Sequence, residues 1–396
     1  MTVEAVQPLA PPSLAAAARV DVELVASGEE LAALAGDWRA LADAAGAPDP
    51  FTSHEWSTAW WQCFGGDSAL RVLVARDVAS RPLALLPLAA ERRRMYGFAV
   101  SSLSSTWNPH TPRLDLLARA PAEALCRALW SRIESGLGEW DLLELPQLPA
   151  GSPLLEWLPV IATARGYQVE TRPGSRSPWV PLDGSWEDYL EGRSHRHRDK
   201  LRRCLRRLEG LGRLRLEVVD GEPGLDAALD EGFRLEAAAW KGAAGTAIIS
   251  RPEVESFYRL LARSAAERGW LELHFLELDG RRIAFDFALR YRDTVFSLKL
   301  GYDPAYARCS PGIALIGLAI RNAFERGLRA YDLLGESERW KLSFTDQVRE
   351  HTWLYVFRPA ARARLVQLMK FRVAPHLRGR LWTHSADTPS ERENDL

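Results

Sequence analysis

Hydrophobic and polar positions in the second half of the chain follow first a strand pattern and then a helix pattern. Three consecutive strands are predicted there, at 270–278, 282–291 and 294–303. An Asp-Gly pair at 279–280 is typical of a tight turn between the first two strands. Apolar residues then recur at helical spacing from Ile313 to Phe324, and Gly327 ends the predicted helix. A last strand is predicted at 330–335.

The first half repeats this order in outline. Two strands, a helix and a further strand are predicted, at 71–77, 81–90, 121–138 and 140–145. A helix-rich connector at 184–270 joins the halves, and its Ser185 and Asp188 have the spacing of a capping box. Strands and helices with short connections indicate a mixed sheet with helices packed on it. We therefore expect an α/β (α+β) protein with two related domains in tandem, each a mixed, mostly antiparallel sheet flanked by helices.

Composition and charge narrow the class of protein. The 396 residues and a hydrophobic content of 47% suffice for two domains with cores of ordinary size. The 51 Lys and Arg residues balance 52 Asp and Glu residues, which leaves a formal charge of −1. Because dedicated nucleic-acid binders carry a strong positive field, we do not expect nucleic acid as a partner.

The most basic stretch, at 194–212, hides an apolar period. Leu201, Leu205 and Leu208 recur at i, i+4 and i+7, which predicts an amphipathic helix with its arginines on the opposite face. A solvated face is the plain interpretation of these arginines. Contact with an anionic ligand is the alternative.

The cysteines and the apolar runs bear on location. The four cysteines lie far apart without a C-x-x-C pair, so we expect no metal site and a reducing, cytoplasmic location. No secretory signal is recognisable, and no apolar run reaches the roughly 18 residues that a membrane span needs, so we expect a soluble protein. The basic amphipathic stretch 361–382 is compatible with peripheral contact with an anionic membrane, although packing against the domain is the more ordinary interpretation.

Four sequence blocks of the second half carry a family resemblance, at 194–212, 233–248, 301–315 and 325–344. With the order of elements, they resemble the CelD-like branch of the GNAT acyltransferase superfamily, which is related to the Fem-type peptidoglycan aminoacyltransferases. The resemblance covers about residues 20–360 and is strongest in the second half. It implies two tandem GNAT-like domains between terminal tails, the first of them active or degenerate. The bounds are 1–18 for one tail, 19–175 and 176–382 for the domains, and 383–396 for the other tail.

The resemblance implies acetyl-CoA or another acyl-CoA as co-substrate and no metal. In that superfamily, backbone N–H groups at a helix N-terminus hold the pyrophosphate. The matching residues here are Ser310, Gly312, Ile313 and Ala314. Cys309 stands where the family has Gln or Arg, and Pro311 lacks an N–H donor. An ordinary helix start remains the competing interpretation.

A block with one lysine and several carboxylates supplies the candidate catalytic residues. By resemblance, Lys341 contacts the acyl carbonyl and stabilises the developing oxyanion. Asp332 and Glu338 are candidates to position Lys341 or to take a proton from the amine. An exposed cluster of ion pairs is the plain alternative.

Three further residues are candidates for substrate binding. By resemblance, Trp240 and Lys241 lie near the acceptor, and the helix start that contains Arg198 borders the acceptor cleft. Asp286 alternates with Phe285 and Phe287 and is expected on the opposite face of its strand, where it meets either the cleft or an arginine.

These expectations favour a cytoplasmic acyl-CoA-dependent N-acyltransferase, in the first place an N-acetyltransferase. Its partner would be a small-molecule amine or a glycan precursor, for instance an amino sugar of cell-envelope or exopolysaccharide synthesis. A Fem-like transferase that uses aminoacyl-tRNA is one alternative, with the basic helix on RNA phosphates. A non-catalytic GNAT-like accessory protein of polysaccharide synthesis is the other.

Overall fold

A computed structural model describes residues 20–119, 122–238 and 247–374 of the chain. The predicted tails at 1–18 and 383–396 lie outside these described residues, as do Trp240 and Lys241. None of the helices in the described ranges is both long enough and apolar enough to cross a membrane.

The first half alternates helices and strands around one sheet. In chain order the elements are β1 (Asp21–Val25), α1 (Gly28–Ala33), α2 (Ala35–Ala45), α3 (His54–Phe64), β2 (Ala69–Arg76), β3 (Pro82–Met95), β4 (Phe98–Ser105), β5 (Leu117–Ala118), α4 (Ala122–Gly136), β6 (Leu142–Pro149), α5 (Pro153–Ala164) and β7 (Gln168–Pro181). The predicted strands at 71–77, 81–90 and 140–145 and the described part of the predicted helix at 121–138 are confirmed. The sequence patterns had not revealed β1, β4 and β7.

The second half begins with helices and continues as a strand meander. Its elements are α6 (Trp186–Glu191), α7 (His195–Glu209), β8 (Leu214–Val219), α8 (Leu225–Ala238), α9 (Pro252–Glu267), β9 (Leu271–Leu278), β10 (Arg281–Tyr291), β11 (Thr294–Tyr302), α10 (Pro311–Glu325), β12 (Ala330–Asp332), α11 (Arg339–Phe344), β13 (Val348–Phe357) and α12 (Ala361–Leu368). The predicted strands and the helix after Pro311 are confirmed. The strand predicted at 330–335 stops at Asp332, because its carboxylate accepts a hydrogen bond from the Leu334 N–H at 3.0 Å and turns the chain.

One continuous sheet runs through both halves, in the order β1-β2-β3-β4-β6-β13-β7-β12-β11-β10-β9-β8, with β5 beside β3. Among the described strands, β4 pairs with β6 in parallel and β11 pairs with β12 in parallel, whereas the other pairs are antiparallel. Each half therefore has one parallel pair at an equivalent place. The expected class, a mixed and mostly antiparallel sheet flanked by helices, is confirmed.

The two halves exchange strands at their boundary. β13 comes from the end of the second half but lies between β6 and β7 of the first half. β7 continues to residues 179–181, where it pairs with β12 of the second half. The domain boundary predicted at 175/176 thus falls inside an unbroken strand that belongs to both halves.

The basic helix α7 covers the second half of the sheet as its apolar period predicted. Leu201, Cys204 and Leu208 are buried, while the arginine pairs between them point outward. Leu201 lies against α10 so closely that a side chain at Gly317 would meet it at 2.6 Å. The amphipathic helix is therefore confirmed, with its stripe seated on the helix after Pro311.

A buried arginine joins the halves where β7, β12 and β13 meet. Arg113 donates to Asp49 at 2.8 Å and to Asp332 at 3.0 Å, and Arg349 lies 3.3 Å from the same Asp332 carboxylate. Asp332 is 0% exposed and Arg113 is 6% exposed. Because such charges are costly to bury alone, each depends on the other for its place.

We expect Arg113→Ala to lower the free energy of unfolding by about 3 kcal/mol, because it leaves the buried Asp49 carboxylate without its guanidinium and Asp332 with only that of Arg349. Arg127→Ala is the matched control, since Arg127 pairs with Glu123 on the surface of α4. Its loss should cost less than about 1 kcal/mol. Urea denaturation measures both variants, and equal losses would show that the junction contributes no more than a surface ion pair.

Candidate active site

The parallel strands β11 and β12 separate just beyond their last paired residues. Their register ends at Phe296 and Asp332. After these residues β11 continues along β10, whereas the segment after β12 turns away from the sheet. A cavity of about 180 Å³ lies at this opening. Its polar side chains come from four segments: Glu236 from α8, Ser297 and Tyr302 from β11, Ser310 from the start of α10, and Glu338, Trp340 and Lys341 from α11 and its N-cap.

The start of α10 forms one wall of the cavity. Ser310 has a φ of 52° and caps the helix without a side-chain hydrogen bond to it, and Pro311 follows as the first helical residue. The N–H groups of a first helical turn have no partner within the helix, and the helix dipole favours an anion there. Gly312 and Ile313 line the cavity in this turn. Three of the four predicted phosphate residues are thereby brought together.

Ala314 is the exception among the four. It is 0% exposed and does not line the cavity, and its N–H donates to the Ser310 carbonyl at 3.3 Å. Its role is therefore that of an ordinary residue one turn into the helix.

The basic helix α7 reaches the same helix start. Arg207 donates to the carbonyl oxygen of Arg308 at 3.0 Å, in the turn that precedes Ser310, and Arg308 itself is exposed. The arginines toward the end of α7 thus lie beside the helix N-terminus. The sequence pattern could not show this, because it fixes which face a side chain takes but not which loop that face meets.

Lys341 lies on α11 at the opposite side of the cavity. Its ammonium donates to the carbonyl oxygens of Leu334 at 3.0 Å and Glu336 at 3.3 Å. The Glu338 carboxylate lies 3.5 Å from it and also accepts from the Trp340 ring N–H at 2.6 Å. Lys341 and Glu338 are therefore brought together at the cavity, and Lys341 also fixes the shape of the loop before α11.

Asp332 is not part of this group. It pairs in register with Phe296, whose ring packs on Phe51 of the first half at 5.4 Å between centroids. Its side chain accordingly points to the junction, where Arg113 and Arg349 hold it. The structure gives Asp332 a place in joining the halves rather than in the cavity.

Arg198 also lies elsewhere. It donates to the carbonyl oxygen of Glu191 at 3.0 Å and lines a shallow recess between α6, α7 and the middle of α10, beside Gly317. That recess is on the far side of α10 from its N-terminus, so the structure does not bring Arg198 to the cavity.

Two buried polar residues of the cavity were not singled out by any sequence pattern. Glu236 on α8 is 0% exposed and accepts a hydrogen bond from the Ile248 N–H at 2.9 Å. A side chain at Gly301 would collide with the Glu236 backbone, so α8 approaches β11 very closely. The signal was an acid on the apolar face of a helix, next to Leu235. Ser297, the second such residue, had no signal in the sequence.

Asp286 takes the face opposite Phe285 and Phe287, as predicted, and is 0% exposed. Its partners are different from those expected. It accepts hydrogen bonds from the hydroxyls of Ser297 at 2.7 Å and Tyr331 at 3.0 Å. Of the two expected surroundings, the arginine is replaced by hydroxyls from β11 and β12, and Ser297 connects the carboxylate to the cavity wall.

The start of α7 packs against the last residues of α11. The ring of His197 lies 4.6 Å from that of Phe344, and its Nδ1 lies 3.1 Å from the Ser343 hydroxyl. Burial, together with the charges of Arg193 and Lys200, lowers the pKa of His197 to about 4. His197 is therefore neutral at neutral pH and packs as part of the core.

We expect stability to fall between pH 6.5 and pH 4 in part through His197, because the unfolded chain binds a proton there that the folded chain refuses. Between pH 7 and pH 5 this one group should account for a loss on the order of 2 kcal/mol. Urea denaturation of His197→Gln should show a decline smaller by that amount, while the exposed-residue control His195→Gln should keep the full decline. An unchanged decline in His197→Gln would contradict the assignment.

The comparisons with known proteins agree with this site. A family model described as an acetyltransferase (GNAT) domain matches residues 195–342, a span that includes the polar residues of the cavity. Over these residues the second half is thus similar to GNAT-type acetyltransferase domains. In sequence, no curated protein matches the chain.

Solved structures similar to this chain cover both halves. FemX superposes with a TM-score of 0.57 at 11% identity, over 88% of this chain and 100% of that one. The C-terminal domain of a lysylphosphatidylglycerol synthetase described as putative, from Agrobacterium fabrum, gives 0.54 at 13% identity, over 87% and 97%. L-PGS from Bacillus licheniformis gives 0.51 at 12% identity, over 85% and 96%. At these identities the likeness concerns the fold.

Proposed function

We propose that this protein is an acyl-CoA-dependent N-acyltransferase, in the first place an N-acetyltransferase, with its reaction centre where β11 and β12 separate. The observation that carries the proposal is the composition of that cavity. The start of α10, a buried lysine and a buried carboxylate face one small space, and this space lies within the segment that matches the GNAT domain.

The donor side is the start of α10. The first-turn N–H groups of Gly312 and Ile313 suit the pyrophosphate of an acyl-CoA. Pro311 removes one donor from this turn, and the arginines beside it, Arg207 and Arg308, supply positive charge in compensation. The residues present therefore fit the co-substrate that the GNAT domain implies.

The chemistry needs a proton acceptor and a positive charge. As the amine nitrogen bonds to the acyl carbon, Glu236 takes the proton that the amine loses. Lys341 stabilises the negative charge that develops on the acyl oxygen. The carbon–sulfur bond then breaks, and the sulfur leaves as a thiol with a proton from solvent. Glu338 holds Lys341 through their ion pair.

The acceptor side is a second cavity, of about 750 Å³, between the two halves. Trp107 and Trp353 meet edge to face there, with 4.9 Å between their ring centroids. Charges of both signs line it, contributed by Glu91, Arg93 and Glu144 of the first half and by Arg251, Glu253 and Lys299 of the second. Aromatic faces combined with charged groups suit a polar ring that bears an amine. We infer an amino sugar or a related cell-envelope or exopolysaccharide precursor, acylated in the cytoplasm.

We expect Gly312→Glu to abolish acetyl-CoA binding in calorimetry, because it adds a carboxylate where the phosphates are held. The fold should tolerate it, since the nearest atom to the added Cβ is 3.5 Å away on Leu300. Gly36→Glu is a matched control, because Gly36 is also the second residue of its helix and has open space around it. It should bind acetyl-CoA like the intact protein.

If the intact protein binds neither acetyl-CoA nor a longer acyl-CoA, the N-acyltransferase proposal fails. If Gly312→Glu binds as tightly as Gly36→Glu, the start of α10 is not the phosphate site.

We expect Glu236→Gln to lower kcat for amine acetylation about 100-fold, because it removes the proton acceptor while the amide can still accept from Ile248. Its affinity for acetyl-CoA should not change. Thiol release from acetyl-CoA measures kcat. Glu338→Gln is the comparison, and a larger loss in that variant would transfer the role of base to Glu338.

A Fem-like transfer from aminoacyl-tRNA is the second candidate. Two observations favour it: the fold likeness to FemX, and the outward arginines of α7, of which Arg207 contacts the turn before the donor site. In that case Arg202→Glu with Arg206→Glu should abolish the gel retardation of tRNA. Retardation that is unchanged by both substitutions excludes α7 as the docking face for tRNA, and absence of retardation by the intact protein excludes this candidate. An accessory protein without activity would bind no thioester in the calorimetric experiment.

A further inference from the structure

A chain of buried polar side chains leads away from the cavity across the sheet. Ser297 donates to Asp286 Oδ1 at 2.7 Å, and Tyr331 donates to Asp286 Oδ2 at 3.0 Å. His274 Nδ1 lies 3.4 Å from the same Oδ2, and His274 Nε2 lies 3.4 Å from Glu272 Oε2. None of these five residues is more than 7% exposed.

The end of this network that is farthest from the cavity reaches the protein surface. The second oxygen of Glu272 accepts from Arg290 at 2.9 Å and from Arg326 at 2.6 Å. Both arginine side chains are about one-third exposed, at 36% and 35%. The network thus connects solvent with the cavity through four neighbouring strands, and Ser297 is its member at the cavity wall.

His274 and Glu272 of this network favour their charged forms although they are buried. Burial alone would lower the pKa of His274, but hydrogen bonds and charges from Asp286 and Glu272 outweigh it and raise that pKa to about 9. Burial would raise the pKa of Glu272, but His274 and Arg326 lower it to about 2. Apolar residues such as Ala284 and Ala288 occupy the same face and would be cheaper to bury. Packing alone therefore does not explain why charged side chains occupy these positions.

The consequence at the cavity is a fixed orientation of one hydroxyl. A serine hydroxyl has a single hydrogen, and Ser297 gives it to Asp286. Toward the cavity Ser297 can then present only lone pairs, which suit an N–H donor.

We propose that Ser297 accepts a hydrogen bond from the attacking amine, and that Asp286, held by Tyr331 and His274, is the positioning residue that keeps the serine hydroxyl in this orientation. The inference rests on the proposed N-acyltransferase function. An amine carries more than one N–H, so this contact leaves another proton for Glu236. With one N–H on Ser297, the nitrogen is oriented for attack on the acyl carbon.

The orientation should depend on the charge of His274. The groups that face it are Glu272 on β9, Asp286 on β10 and Tyr331 on β12, with Arg326 at the end of α10 beyond Glu272. Deprotonation of His274 at high pH removes the positive charge that holds Asp286. Asp286→Asn removes one of the two carboxylates that keep the pKa of His274 high, so the alkaline fall in activity should move to lower pH in that variant.

The test uses the full chain with acetyl-CoA and four amines, glucosamine, galactosamine, ethanolamine and lysine, and continues with whichever amine is acetylated fastest. Ser297→Ala should lower kcat/KM for that amine about tenfold or more and leave the KM for acetyl-CoA unchanged. Ser297→Thr should restore most of the loss. Ser152→Ala is the matched control, because Ser152 is a buried serine that also donates to a carboxylate, that of Asp115 at 2.6 Å, and neither residue lines either cavity of the proposed site.

The outcomes separate the two proposals. Absence of binding of both acetyl-CoA and longer acyl-CoAs by the intact protein overturns the proposed function itself. If acetyl-CoA binds, three results would each overturn the role of Ser297 and leave the thioester site standing. These are acetylation of none of the four amines, Ser297→Ala kinetics equal to those of Ser152→Ala, and a loss that falls on the KM for acetyl-CoA. An alkaline limb that stays in place in Asp286→Asn overturns the positioning role of Asp286.

Discussion

The buried Asp332 carboxylate is the group on which the rest of this structure depends. It ends β12 by accepting from the Leu334 N–H, and it binds Arg113 from the first half and Arg349 from β13. The first contact opens the parallel pair β11/β12 and so makes room for the cavity. The other two fasten that opening to the first half. Asp332 does not line the cavity itself. Its contacts nevertheless determine where the cavity opens and that the opening is joined to the first half.

The cavity then collects chemistry from segments that are far apart in sequence. The start of α10 contributes Gly312 and Ile313 in its first turn, α11 contributes Lys341, and α8 contributes Glu236. Close approach of α8 to β11 is required for the last of these, and Gly301 allows it because any side chain there would strike the Glu236 backbone. The donor cavity lies at the end of β11, and the larger cavity between the halves takes in Lys299 of the same strand. The proposed donor and acceptor sites therefore share one strand.

Local sequence patterns predicted the helices and strands well, but they predicted the tertiary contacts between these elements poorly. The leucine stripe of α7, the meander β9–β11 and the helix after Pro311 follow from periodicity and turn residues, which act over a few positions. Resemblance placed Lys341 and the start of α10 in one site. The place of Asp332 depends on Arg113, 219 positions away, and on strands exchanged between the halves. Glu236 looked like part of an ordinary helix, and Ser297 like an ordinary strand residue. No local signal records which buried polar groups share a cavity.

The central claim is that an acyl thioester binds between the start of α10 and the loop that leads into α11. Amide hydrogen exchange of the full chain with and without acetyl-CoA tests it most directly. We expect acetyl-CoA to slow exchange at Gly312 and Ile313 and in the segment 333–341, and to leave the equivalent opening of the first half, at 105–110, unchanged. Protection confined to the first half, or no protection at the start of α10, would contradict the account.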